Sequence, residues 1–161
     1  MDFRIEKKES FQIMGLSGYT VEGTTEEDSL WGQFIYKDNG DGRTFNEILM
    51  QGFYSEPFHQ VGAYDFESID GKTPTIIGAE YKGKKPNLEN LSFKTIPAAT
   101  WAVFSITGLE TCDAAWARVI TEWLPQSGYI RNEAVPNLDV YPGGTMDENY
   151  IWEIWLPIIG S

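Results

Sequence analysis

The chain has 161 residues, 42% hydrophobic and 14% aromatic, which suits one compact domain with a sizeable core and excludes a disordered or fibrous chain. Twelve Lys and Arg against 24 Asp and Glu give a formal net charge of -12, which repels phosphate backbones and anionic membranes and enriches cations nearby. Direct nucleic-acid binding is therefore not expected. A single cysteine, Cys112, excludes an intrachain disulfide, and a single histidine, His59, leaves no zinc-type ligand cluster, so no metal or other cofactor is expected. No apolar run approaches the roughly 20 residues of a membrane-spanning helix, and MDFRIEKKES lacks a signal-type apolar segment, so the expected location is cytoplasmic.

Phe3 to Val21 reads as a strand broken by Gly15 and Gly18, with a bulge or bend expected there. Thr24 with Glu27 resembles a capping box ahead of Leu30, Trp31, Phe34 and Ile35, whose spacing predicts a helix over 25–36. Asn39 to Gly42 is turn-forming, and Phe45 to Gln51 follows as a short helical turn. His59 to Phe66 and Thr75 to Tyr81 read as strands joined through Asp70 and Gly71.

The second half runs in the same order. Leu91 to Thr107 is β-rich and interrupted by Pro97, and Thr111 caps a helix with Trp116, Val119, Ile120, Trp123 and Leu124 on one face. Pro125 to Gly128 end that helix, and Leu138 to Tyr141 leads through Pro142, Gly143 and Gly144 to a last strand at Asn149 to Leu156. Trp31 in LWGQFI and Trp116 in AWARVI hold similar places on the two helices. The expectation is a single α+β domain built as a pseudo-symmetric duplication of a strand-helix-strand-strand module, with pseudo-repeats at about 1–85 and about 88–161. Its helices should back one face of an antiparallel sheet, with a central ligand groove between the modules on the other side.

The chemistry points to acids among aromatic rings. In NYIWEIWLP a period of two puts Ile151, Glu153 and Trp155 on one face, and an unpaired carboxylate there would cost several kcal/mol, roughly, unless protonated, paired or kept for a cation. In LDVY the same alternation aligns Asp139 with Tyr141, and adjacency of the two strands would aim both acids into one space. Acids beside ring faces suit an organic cation. The structural alternatives for Glu153 are an ion pair with Arg131, Arg118 or a lysine of the first half, or plain solvation. Trp101 lies on a central strand as core or pocket wall, while Trp31, Trp116 and Trp123 read as helix-face core. No nucleophile elbow, phosphate loop or dinucleotide turn is present.

The run IPAATWAVFSITG, the helix AWARVITEWLPQSGY, the segment LDVYP and the terminal IWEIWLPI together resemble the gyrase-inhibitor-like (GyrI-like) effector-binding domain, here in stand-alone form. This domain is also appended to AraC-type and multidrug-responsive MerR-type regulators. The resemblance implies a groove that binds hydrophobic, frequently cationic, small molecules around acidic and aromatic residues. The family's Glu-x-Tyr pattern is matched by Asp139 and Tyr141 with an acid one methylene shorter, and its final-strand glutamate and aromatic by Glu153 and Trp155. The expected ligand set is Glu153 as principal counter-ion, Asp139 as secondary acid, and Trp155, Tyr141 and Trp101 as walls around a lipophilic cation. The alternatives are hydrolysis of cyclopropane-bearing toxins in the same groove, with a pocket glutamate, or binding of a protein partner such as a DNA-binding regulator or gyrase.

Overall fold

The two longest β-rich stretches of the sequence pair with each other. In the computed structural model, which describes residues 2–56, 58–108, 110–143 and 147–160, β1 (Phe3–Lys8) and β2 (Phe11–Val21) are nearly continuous, as are β5 (Ser92–Ile96) and β6 (Ala99–Thr107). β1 pairs with β6 from Phe3↔Phe104 to Lys8↔Ala99, and β2 pairs with β5 from Phe11↔Ile96 to Gly15↔Ser92. The register is unchanged across the corner, so the two stretches make one bent antiparallel ribbon.

Between them lie β3 (Gln60–Tyr64), β4 (Lys72–Glu80), β8 (Asn137–Tyr141) and β9 (Ile151–Ile159), and the sheet order is β1-β6-β9-β8-β3-β4-β2-β5. Exchanging β1 with β5, β6 with β2, β9 with β4 and β8 with β3 reverses this order onto itself. A short β7 (Ile130–Arg131) pairs with β9. Because β1 runs into β2 and β5 into β6, the two ends of the sheet are joined by chain, and the sheet curls onto itself.

Both faces are covered. The inner face packs Ile13, Ile96, Trp101, Val103, Leu138, Val140 and Trp155 against Phe58. The outer face carries the helices. Over the first half, α1 (Leu30–Ile35) and α2 (Phe45–Leu49) set Leu30, Phe34, Phe45 and Leu49 on Met14, Ile77 and Ala79. Over the second half, α3 (Cys112–Arg118), a π-helical turn (Val119–Trp123) and α4 (Leu124–Ser127) cover Phe104, Ile106, Trp152, Ile154 and Leu156.

Local chemistry explains where the elements depart from sequence expectation. Thr24 and Glu27 form no helix cap; Thr25 and Asp28 close a turn, and the Ser29 hydroxyl caps α1 by accepting from Gly32 N, so the helix starts at Leu30. The capping box forms instead at Thr44 and Glu47 of α2. Gly15 and Gly18 make no bulge, since β2 pairs with β4 without interruption from Ile13↔Glu80 to Val21↔Lys72. Gly15 is needed for close approach: a Cβ there would lie 2.0 Å from the Ile77 carbonyl oxygen. The second helix begins at Thr111 as expected and ends at Gly128, whose positive φ closes it. It is not regular α throughout, because Leu124 N bonds to Val119 O across five residues. Gly144 of the expected turn before β9 lies outside the described residues.

Candidate functional site

The central strands β3 and β8 pair at Gly62↔Asp139 and Tyr64↔Asn137, so these side chains share a face. Gly62 pairs on its other side with Ile77 and Asp139 with Ile154, both under helices, so this face is the helix side. Between α1 and α3 it is left uncovered, and a cavity of about 520 Å³ opens there. Its walls include Trp31 of α1, Tyr64 of β3, Cys112 and Trp116 of α3, and Tyr141 of β8. Asp139 is its floor, with no solvent exposure.

The polar tips of these walls converge on the acid. Trp116 Nε1 donates to Asp139 Oδ1 at 2.7 Å, and Cys112 Sγ donates to Oδ2 at 3.3 Å. The Tyr64 hydroxyl, in the same wall, accepts from Trp31 Nε1 at 2.6 Å. Burial pushes the Asp139 carboxyl up to about 6, against the opposing pull of these hydrogen bonds. Burial, and then the neighbouring Asp139, push the Cys112 thiol and the Tyr141 hydroxyl up as well, so both stay neutral donors. Among the described residues the lining includes no lysine or arginine; Asp113 and Asp65 are its other acids, and Asp65 pairs with Lys94 at 2.9 Å.

Gly62 makes the arrangement possible. A Cβ there would stand 2.9 Å from Trp31 Cζ2 and 3.0 Å from the Tyr64 hydroxyl oxygen. Gly62→Ala is therefore expected to cost about 1–3 kcal/mol of stability, the usual penalty of overpacking, and to break the Trp31 to Tyr64 hydrogen bond. Denaturant unfolding combined with the near-ultraviolet tryptophan signal checks both effects.

The expected sharing of one space by Asp139 and Glu153 is corrected by the register. β8 and β9 pair Asp139 with Ile154, and Val140 with Glu153, so Glu153 and Trp155 lie on the inner face, away from the cavity. Glu153 is a quarter exposed and accepts from Arg4 Nη1 at 2.9 Å and from Trp155 Nε1 at 3.0 Å. Its cationic partner is thus an arginine from β1; Arg118 is engaged by Glu110, and Arg131 stacks on Phe66. Trp101 and Trp155 meet at 5.8 Å in the inner core. The cavity lies on the helix side, whereas the expected groove was on the face away from the helices. Of the five expected ligand residues, only Asp139 and Tyr141 reach the cavity.

Sequence reasoning missed Trp31, Tyr64, Cys112 and Trp116 as cavity residues. One signal was available: the two helix tryptophans occupy matching places, and each sends its indole N–H to the centre, Trp31 to Tyr64 and Trp116 to Asp139.

Comparison with known proteins agrees with this architecture. No curated protein matches the sequence. The structure of SAV2435 bound to tetraphenylphosphonium superposes with a TM-score of 0.72 at 18% identity, covering 99% of this chain and 95% of that one. A putative bacterial transcription regulation protein from Staphylococcus aureus MU50 gives 0.70 at 18% identity, over 99% of both chains. The EcmrR C-terminal domain gives 0.64 at 15% identity, over 99% of this chain and 98% of that one. At these identities the likeness establishes the fold. A sequence model of the GyrI-like small molecule binding domain matches residues 1–159, and the chain belongs to that family.

Proposed function

We propose that the protein binds a lipophilic organic cation in the cavity between α1 and α3, with Asp139 as the counter-charge and Trp31, Tyr64, Trp116 and Tyr141 as the aromatic walls. The observation that carries this reading is Asp139: a fully buried carboxyl with no cationic partner among the described residues, at the floor of an aromatic cavity. An uncompensated charge in such a site costs several kcal/mol, roughly, and a desolvated cation arriving over ring faces offsets that cost. The net charge of -12 favours encounter with cations. The binding of tetraphenylphosphonium by SAV2435, which shares the fold, supports the same ligand class.

Titration of tetraphenylphosphonium into the protein, followed by quenching of tryptophan fluorescence and by calorimetry, tests the reading. Saturable binding at one cation per chain is expected. Absence of saturable heat and quenching with a folded protein, at ligand concentrations up to about 1 mM, overturns it.

A further inference from the structure

The donors around Asp139 carry an implication about which cations the cavity accepts. A carboxylate offers about four acceptor positions, and here a neutral donor sits on each oxygen: the indole N–H of Trp116 on Oδ1 and the thiol of Cys112 on Oδ2. The acid has no solvent-exposed surface through which a ligand could add another hydrogen bond. Trp31 also spends its N–H inward, on Tyr64. What remains for a guest is largely ring face and ring edge.

We propose that this cavity selects cations without N–H groups, such as quaternary ammonium or phosphonium ions, over primary ammonium ions of the same skeleton, because Trp116 and Cys112 already engage both oxygens of the buried Asp139. The inference rests on the cation-binding reading above. A quaternary ion surrounds its charge with carbon and loses no hydrogen bond on leaving water, so ring faces and the field of the buried carboxylate suffice. A primary ammonium gives up three N–H bonds to water and meets an acid that is already engaged. Asn137 Oδ1 in the same wall is buried and makes no hydrogen bond, but one such acceptor replaces only one of the three bonds that a primary ammonium loses. Asp113 is exposed and Asp65 only partly buried, and water competes for their carboxylates. Trp116 and Cys112 thus act as positioning residues that turn a hydrogen-bond acceptor into a source of field.

The test uses a matched pair, (biphenyl-4-yl)methyl-trimethylammonium and (biphenyl-4-yl)methylammonium, both charged at about pH 7.5. Three buried methyl groups favour the first probe whatever Asp139 does. The readout is therefore the affinity ratio in Cys112→Ala and Trp116→Phe relative to wild type, by calorimetry. Freeing an Asp139 oxygen is expected to narrow the ratio by about fivefold or more in at least one of the two, while Cys112→Ser, which keeps a donor, retains the wild-type ratio. A smaller change in both variants, or tighter binding of the primary ammonium by wild type, overturns the proposal. If neither probe nor tetraphenylphosphonium binds, the failure belongs to the cation-binding reading; if all three bind without the variant-dependent change, it belongs to the selectivity inference alone.

Discussion

Asp139→Asn is expected to weaken tetraphenylphosphonium binding by about 100-fold, whereas Glu153→Gln should leave it within about twofold of wild type. The first figure follows from one unit charge acting on another at about 6 Å through an effective dielectric of about 20, which is about 3 kcal/mol. No direct contact is needed for a term of this size. The second follows from position: Glu153 is on the inner face, already holding Arg4 and the Trp155 indole. Its loss should be felt as a small change in stability, since Arg4 is nearly half exposed and water replaces the carboxylate. Calorimetric affinities with melting temperatures for both variants distinguish the outcomes. Equal affinity for wild type and Asp139→Asn, or a loss in Glu153→Gln as large as that in Asp139→Asn, would move the counter-charge away from β8.

Affinity for a permanently charged cation is expected to be level above about pH 7 and to fall about tenfold at pH 5, as the proton and the ligand compete for Asp139. The direction comes from burial, which holds this carboxyl at about 6, above its ordinary 3.8. Because the folded chain binds this proton more tightly than the unfolded chain, the stability the group contributes is fully present below about pH 4 and is lost as pH rises through about 6. A bound cation should stabilise the ionised form, lower the apparent carboxyl pKa and release protons near pH 6. Calorimetry in buffers of different ionisation enthalpy measures that release. Other titratable groups facing the acid, Tyr64, Cys112 and Tyr141, are pushed upward and stay neutral in this range, while Asp113 adds to its rise through its charge. A flat affinity from pH 5 to 8 would show that Asp139 is not the group the ligand senses.

The order of strands and the placing of the second helix were legible in the sequence, because alternation and caps are local signals. Thr111 and Gly128 bound that helix as their chemistry requires. The start of α1 was not legible, since Thr24, Thr25 and Ser29 are all competent caps and only the turn that wraps Glu26 and Glu27 over Gly32 selects Ser29. The site was half legible for a related reason. Alternation fixes which residues of one strand share a face, and it grouped Asp139 with Tyr141 and Glu153 with Trp155. It does not fix the register between strands, and a shift of one residue exchanges the faces. Residues 142–150, which separate β8 from β9, are too long a connection for a two-residue hairpin turn, so Gly143-Gly144 does not set that register. Tyr64 and Cys112 have no motif at all; they matter because the pairing of β3 with β8 and the docking of α3 bring them to one carboxyl.

The bent ribbon has a consequence for how the chain reaches its fold. Its rungs join residues roughly 80 to 100 positions apart, and the first strand of each half completes the edge beside the other half. Neither half can finish its own sheet during synthesis, so the nascent first half must wait with an unsatisfied edge until Ser92 to Phe104 has emerged. Such high contact order predicts slow, single-step assembly rather than stepwise folding of two modules, and it makes the halves inseparable as independently stable fragments. The cavity inherits that property: its walls come from both halves, and it exists only once the last rungs have closed.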